Sequence, residues 1–396
     1  MHRELVERRR WVTEDLFLRA LNFCMMLPGP EAQQLAVYIG WRLHGTVGGV
    51  VAGAFFVIPS IFVLLALSWL AVAHAGVPAV AGLFHGIQPV VVAIVAEAVL
   101  RIGKRTLRHL VLLLFAATAF VLLRFLAAPF PLVILTAALG GLFLHLRWPQ
   151  LLQPLSRTSV QDGIEPVSAP HVAGYPPIGR AFKLSALFLI LWMLPVGFVW
   201  LWRGGSDVLV QEALFFTKAA FVTFGGAYAV LSYIADMAVN HYRWLDVAQM
   251  VQGLGLAEST PGPLIMVTQY VGFLGAWKLH GTFNPLLYGT MGALVTTYVT
   301  FLPCFFFIFA GAPYIEALTG NRYLQTALTC VTAAVVGVIL NLAVFFGSRV
   351  IIRPDGAMDG FALVEALLSF LLIWRFRLPI HFVVAGGGVA GIVWSL

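Results

Sequence analysis

Charge is scarce in this sequence. Asp, Glu, Lys and Arg make up 10% of its 396 residues, against about 25% in a soluble domain. Hydrophobic residues reach 60%, and the mean hydropathy is +0.92. A soluble fold is thereby excluded in favour of a polytopic helical membrane protein. Strict polar/apolar alternation is missing as well, which excludes an outer-membrane barrel. Cysteine is nearly absent. Cys24, Cys304 and Cys330 stand inside apolar segments without metal-ligand spacing, so no metal, no cofactor and no disulfide framework is expected. The opening MHRELVERRRW lacks the apolar core of a signal peptide. No D-x-x-D or comparable acid pair occupies a membrane loop, which argues against a membrane transferase that handles diphosphates. The net charge of +7 is spread over loops, which suits membrane orientation and not nucleic-acid binding.

What is present is a series of apolar spans. They fall near 47–73, 78–100, 107–124, 127–147, 183–203, 210–235, 285–311, 324–347, 360–375 and 378–396, each near the length that crosses a bilayer, about 20 residues. Two more apolar segments, 13–44 and 245–277, are each interrupted by Pro-Gly-Pro. Residues 148–182 are rich in Pro, Gly and Ser and read as a polar linker. The expected organisation is a repeat over 1–147, the linker 148–182, a connecting span 183–209 and a second repeat over 210–396. Basic loops at 1–10, 101–109 and 349–353 are expected to face the cytoplasm by the positive-inside rule.

The duplication rests on an ordered series of anchors. Trp11 is followed seventeen residues later by Pro28-Gly29-Pro30, and Trp244 seventeen residues later by Pro261-Gly262-Pro263. Tyr38-Ile39-Gly40 answers Tyr270-Val271-Gly272, His44-Gly45 answers His280-Gly281, and Pro59 answers Pro303. The run from Ile87 to Val92 aligns with Val331 to Val336, and Pro131 with Pro379. The offset of 233 residues puts the counterpart of Phe224-Gly225-Gly226 before Met1. The first copy is therefore expected to lack one helix, through a late start or a fragment.

The stretches LPGPEAQQLAVYIGWRLHGTVGG (27–49), FVTFGGAYAVL (221–231), GLGLAESTPGPLIMVTQYVGFLGAW (253–277), TFLPCFFFIFAGAPYIE (300–316) and TAAVVGVILNLAVFFG (332–347) resemble the long-chain chromate ion transporter family. The resemblance implies a multi-pass inner-membrane carrier that exports chromate, with sulfate as the related oxyanion, driven by the proton gradient. Members of that family usually carry Phe-Gly-Gly in each half; this chain has only the second, at Phe224-Gly225-Gly226.

The residues support such chemistry on their own terms. Proline is tolerated in the first turn of a helix, so Pro28-Gly29-Pro30 and Pro261-Gly262-Pro263 can each end one half-helix and begin another. A half-helix that starts at membrane depth offers free N–H groups and a partial positive charge to an anion. Gln33, Gln34, Ser259 and Thr260 would add donors to a tetrahedral dianion; the plainer alternative is a pair of turns that fix helix packing. Acids at membrane depth are functional by default. Glu258 precedes its break and is the better candidate for proton coupling. Glu31 follows the other break, where the helix dipole suits a carboxylate, so it is either a cap or a second proton site. Lys218 attracts the anion, pairs with an acid or snorkels. Gly225 and Gly226 allow either close helix approach or backbone exposure to substrate. Thr296, Thr297, Thr300 and Asn341 are weaker pathway candidates, since such threonines commonly bond back to their own helix.

The hand of the two halves stays open. Re-entrant Pro-Gly-Pro hairpins put loops 1–10 and 101–109 inside and make the halves parallel. Single broken crossings make the halves inverted and leave one basic loop outside. The expected function is proton-driven export of chromate, with sulfate or another anion, or an inactive fragment, as alternatives. The expected partners are the oxyanion, protons and membrane lipid, with homodimer formation left open.

Overall fold

The computed structural model describes residues 1–148, 178–224, 226–315, 321–353 and 355–396. Among them there is no β-strand, only an isolated bridge between Ile352 and Met358. Most of the linker, with Gly225, lies outside the described residues.

The first half comprises α1 (Glu14–Met26), α2 (Glu31–Ala73), α3 (Pro78–Thr106), α4 (Leu110–Arg124) and α5 (Phe130–Arg147). A connecting helix, α6 (Ile178–Arg203), follows. It begins four residues before the expected end of the linker at 182. The second half comprises α7 (Val208–Phe221), α8 (Ala227–Asp236), α9 (Val247–Ser259), α10 (Val267–Lys278), α11 (Pro285–Gly311), α12 (Arg322–Val350), α13 (Gly360–Trp374) and α14 (Ile380–Ser395). α2, α3, α5, α6, α11 and α12 are long and apolar enough to cross a membrane. α4, α13 and α14 are apolar but shorter; fifteen residues of helix rise only about 22 Å.

Backbone geometry makes the duplication visible. Left-handed residues come in matched pairs: Arg10 (φ 53°) with Arg243 (56°), Gly29 (124°) with Gly262 (146°), Gly45 (64°) with Gly281 (61°), and Ala127 (47°) with Arg377 (53°). The last pair corrects one anchor. The counterpart of Pro379 is Pro129, not Pro131: each stands two residues after its left-handed residue and caps the next helix with φ −59°.

In both halves a short arm folds back on a long helix. α2 bends at His44 and Gly45, and its arms 31–43 and 46–73 run antiparallel, with Gly40 against the backbone of Gly48. α10 and α11 repeat this packing with Gly272 against Gly292. Only glycine allows two helix backbones to approach so closely.

Contacts fix the direction of each element. At one end of the bundle, end I, Leu5, Val6 and Val12 cluster with Trp41 and with Ile308–Ala312 near the end of α11. At the opposite end, end II, Lys278 donates to the Arg243 carbonyl at 3.0 Å. That bond ties the exit of α10 to the entrance of α9, so α9 and α10 form a re-entrant hairpin. α7 and α8 form another: Phe215 lies 5.3 Å from Tyr233 and 5.8 Å from Trp244, ring to ring.

This second hairpin overturns the expected span at 210–235. The chain stops being helical between Phe221 and Ala227, where Gly226 has φ 97°, and returns to end II without crossing. One crossing fewer reverses the parity. The first Pro-Gly-Pro hairpin opens to end I and the second to end II, so re-entrant hairpins and inverted halves coexist. The alternative that tied re-entrant hairpins to parallel halves is therefore wrong.

The basic loops do not share one side. α12 starts at end I, where Thr326 meets His145 at 3.0 Å, and finishes at end II beside Arg124. Loop 349–353 lies at end II and loop 101–109 at end I. The expectation that both face the same compartment is corrected: the returning hairpin α7–α8 separates them.

Candidate functional site

Three helix interruptions meet inside the bundle. The first is Leu27–Pro30, between α1 and α2. The second lies between α7 and α8. The third is Thr260–Pro263, after α9. The Gly29 N–H donates to the Thr223 carbonyl at 2.8 Å, which joins the first interruption to the second. The Tyr228 hydroxyl donates to the Glu258 carboxylate, which joins the second to the third. Glu31 also faces the second: a Cβ built on Gly226 would stand 3.7 Å from its Oε1.

Side chains satisfy the backbone that the breaks leave open, as burial demands. Gln34 donates to the Pro28 carbonyl at 2.7 Å. Ser60, on the long arm of α2, donates to the Pro261 carbonyl. Gln269 donates to the Ile61 carbonyl at 2.8 Å. The second repeat's break is thus held by the first repeat's helix.

Several polar groups remain without partners. Gln33 is fully buried, and neither of its amide atoms has a hydrogen bond. The Gln34 oxygen and the Thr268 hydroxyl are buried and unpaired too. Each such group costs about 1–3 kcal/mol, so a cluster of them marks a place where something else binds or moves. Between these elements Pro30, Thr223, Thr268 and Thr300 line a void of about 10 Å³. That holds at most about one water, so the inner site is closed in this conformation.

Some expected residues stand apart. The hydroxyls of Ser259 and Thr260 donate to the Leu256 and Ala257 carbonyls of their own helix, at 3.0 and 3.2 Å. They cap α9 and do not point donors at the centre: Pro261 has no N–H to give the Ala257 carbonyl, and the Leu256 carbonyl is shared with the Thr260 N–H at 3.1 Å. Lys218 is exposed in the last turn of α7, where the helix terminus favours a cation. Pro261 and Gly262 are exposed, while Pro263 is buried. Thr296, Thr297 and Thr300 bond back to carbonyls one turn earlier. Asn341 lies in a different cavity.

Two residues escaped the sequence reading. Tyr228 had no distinguishing signal, because its role depends on α8 folding back toward α9. Glu212 did have one: it is an acid inside an apolar span, the same sign that singled out Glu258. It is fully buried between α7, α10 and α11, close to Gly275 and Gly292, and neither carboxylate oxygen has a partner. Arg101 and Glu97 on α3 are paired with each other at 3.2 Å.

Inverted repeats whose interrupted helices meet within the bundle are the architecture of secondary transporters. The profile of the family described as Chromate transporter matches residues 1–142 and 210–392, and the chain belongs to that family. It is similar to the "Chromate transport protein" of Cupriavidus metallidurans, with 28% identity over 99% of this chain and 86% of the relative. The protein of the same description from Pseudomonas aeruginosa is 29% identical over the same shares. A "Probable chromate transport protein" from Synechococcus elongatus is 26% identical over 100% of this chain and 90% of the relative. No solved structure matches.

Proposed function

We propose that this protein moves chromate, or the sulfate-type dianion of like shape, outward across the plasma (inner) membrane in exchange for protons. The observation that carries the reading is the Tyr228–Glu258 hydrogen bond at the meeting point of three helix interruptions. The half-helices that begin at Glu31, Ala227 and Val267 present N-termini there, and N-termini attract anions. Glu258 is the proton carrier in this reading, and Tyr228 holds its carboxylate. Glu31 sits in the first turn of α2 and beside the start of α8, so it occupies ground that suits a negative charge. An arriving oxyanion would share that ground with Glu31, which gives protonation of Glu31 a reason to accompany loading. The closed void means that α8 or the α9–α10 hairpin must shift for the dianion to enter.

Orientation follows from charge. End I gathers Arg3, Arg8, Arg9, Arg10, Arg42, Arg101, Lys104, Arg105, Arg108, Arg147, Arg322, Arg375 and Arg377, while end II holds Arg124, Arg203, Arg243, Lys278, Arg349 and Arg353. The positive-inside rule places end I in the cytoplasm. Chromate is favoured over sulfate by the descriptions of the relatives.

The test is chromate accumulation in inverted vesicles under an imposed proton gradient. Wild type is expected to accumulate chromate, Glu258→Gln to lose at least about tenfold in rate, and Tyr228→Phe to lose less. Loss of a hydrogen bond to a charged group amounts to about 1.5–3 kcal/mol. Equal accumulation in vesicles without the protein, or an unchanged rate in Glu258→Gln, would refute the reading.

A further inference from the structure

A second cavity, of about 300 Å³, opens at end II, outside the three-break cluster. Its walls come from the end of α4, the start of α5, one face of α8 and the last turns of α12. Arg124 and Arg349 stand at the C-termini of α4 and α12 and both line it. Neither guanidinium forms an ion pair or a hydrogen bond with any described residue, so their donor forks are uncommitted. Asn341 and Ser232 also line the cavity, and their side chains make no hydrogen bond among the described residues. Ser232 is only 8% exposed, so its hydroxyl faces little besides this space. One carboxylate is present, Asp236, and Asn240 donates to it at 2.8 Å. The lining therefore carries two cations against one acid, with neutral donors deeper in.

We propose that this cavity binds a tetrahedral oxyanion, held by the forks of Arg124 and Arg349 and by Asn341 and Ser232. Paired guanidinium donors match the oxygens of such an anion in both geometry and charge. The terminal position of each arginine does not by itself account for the arrangement. A cation at a helix end is satisfied by water, and it needs neither a shared cavity nor unpaired amide and hydroxyl groups behind it. α8 is the wall between this cavity and the inner cluster: Ser232 and Asp236 face outward, while Val230 and Ile234 line the inner void. The outer site is one helix away from the breaks, where an anion leaving or approaching them would pause. It involves none of the residues of the three-break cluster, so it stands whatever the fate of that reading.

The oxyanion could be free in solution or the phosphate of a lipid headgroup, since the cavity opens at one end of the bundle. The experiment separates the two. The full chain is reconstituted in discs of phosphatidylcholine, or of equal parts phosphatidylcholine and phosphatidylglycerol, and radiolabelled sulfate is titrated in. Phosphatidylglycerol retained after purification is measured by mass spectrometry. Sulfate binding in phosphatidylcholine discs is expected to weaken at least about tenfold in R124Q/R349Q, because both charge-assisted hydrogen-bonding forks are removed. R124K/R349K, which keeps the charges and serves as the folding control, is expected to lose less, and Glu258→Gln to leave this binding in place. If the anion is free, phosphatidylglycerol leaves sulfate binding intact. If it is a headgroup, phosphatidylglycerol displaces sulfate, and wild type retains that lipid where R124Q/R349Q does not. Either result supports the site. Wild type that binds neither sulfate nor phosphatidylglycerol, or R124Q/R349Q that binds both as wild type does, overturns it.

Discussion

Gly262→Ala tests whether the second break depends on the first repeat. Two separate penalties are expected. Gly262 has φ 146°, a conformation that costs a residue with a side chain about 1–3 kcal/mol. The added Cβ would also fall within bonding contact of the Ser60 hydroxyl and 2.9 Å from Ser60 Cβ. Ser60 sits on a packed helix that cannot withdraw freely, and such overpacking costs about 1–3 kcal/mol more. The combined loss is about 2–6 kcal/mol. Unfolding in mixed micelles by increasing dodecyl sulfate, followed by tryptophan fluorescence, measures it. Ser60→Gly divides the two parts. On its own it loses the bond to the Pro261 carbonyl, about 0.5–1.5 kcal/mol, and adds a helix-interior glycine, about 0.5–1 kcal/mol. In the double variant the clash is gone, leaving the backbone strain and the cost of Ser60→Gly itself, so the cycle should show a favourable coupling of about 1–3 kcal/mol. Gly262→Ala as stable as wild type, or a cycle with no coupling, would refute the inter-repeat contact.

Two further outcomes follow from the fold. Single cysteines at Arg105 and Arg353, in a background with Cys24, Cys304 and Cys330 replaced, are expected to react with an impermeant maleimide from opposite sides of the membrane; labelling from the same side would contradict the returning hairpin α7–α8. Asp359 caps α13 by accepting from the Ala362 N–H at 3.1 Å and pairs with Arg353 at 3.3 Å. Desolvation opposes its charge, but these contacts prevail and hold its carboxyl below the usual range. The sign is that of a depressed acid: its contribution is present above the unfolded pKa, about 3.9, and is lost as pH falls through the lower folded value. Wild type should therefore lose more stability than Asp359→Asn as pH drops below about 4, seen by melting at stepped pH, and parallel curves would exclude the linkage.

The inversion of the halves has a simple cause. α6 delivers the chain to end II, and both hairpins that follow return there. The second Pro-Gly-Pro therefore opens opposite to the first. A continuous helix over 210–235 would have produced parallel halves from nearly the same sequence.

The sequence alone determined what depends on local chemistry. Scarcity of charge and long apolar runs require a helical bundle in a membrane, because only helices satisfy every backbone group there without neighbours. Pro-Gly-Pro requires a break, because proline lacks an N–H and clashes with the preceding turn. The paired anchors, Trp11 with Trp244 and Pro28 with Pro261, made the repeat legible. Glu258 was legible too, since an acid at membrane depth needs a reason. Tertiary structure decided the rest. Phe224 to Gly226 lies in an apolar segment with no proline, and glycines are tolerated within membrane helices, so nothing local distinguishes a helix that continues from one that turns back. Whether Ser259 and Thr260 face a substrate or their own carbonyls depends on where α9 stops. Tyr228 reaches Glu258, and Arg124 and Arg349 line one cavity, only because α8 and α12 arrive from distant parts of the chain. Proximity of that kind is set by packing, and no spacing in the sequence encodes it.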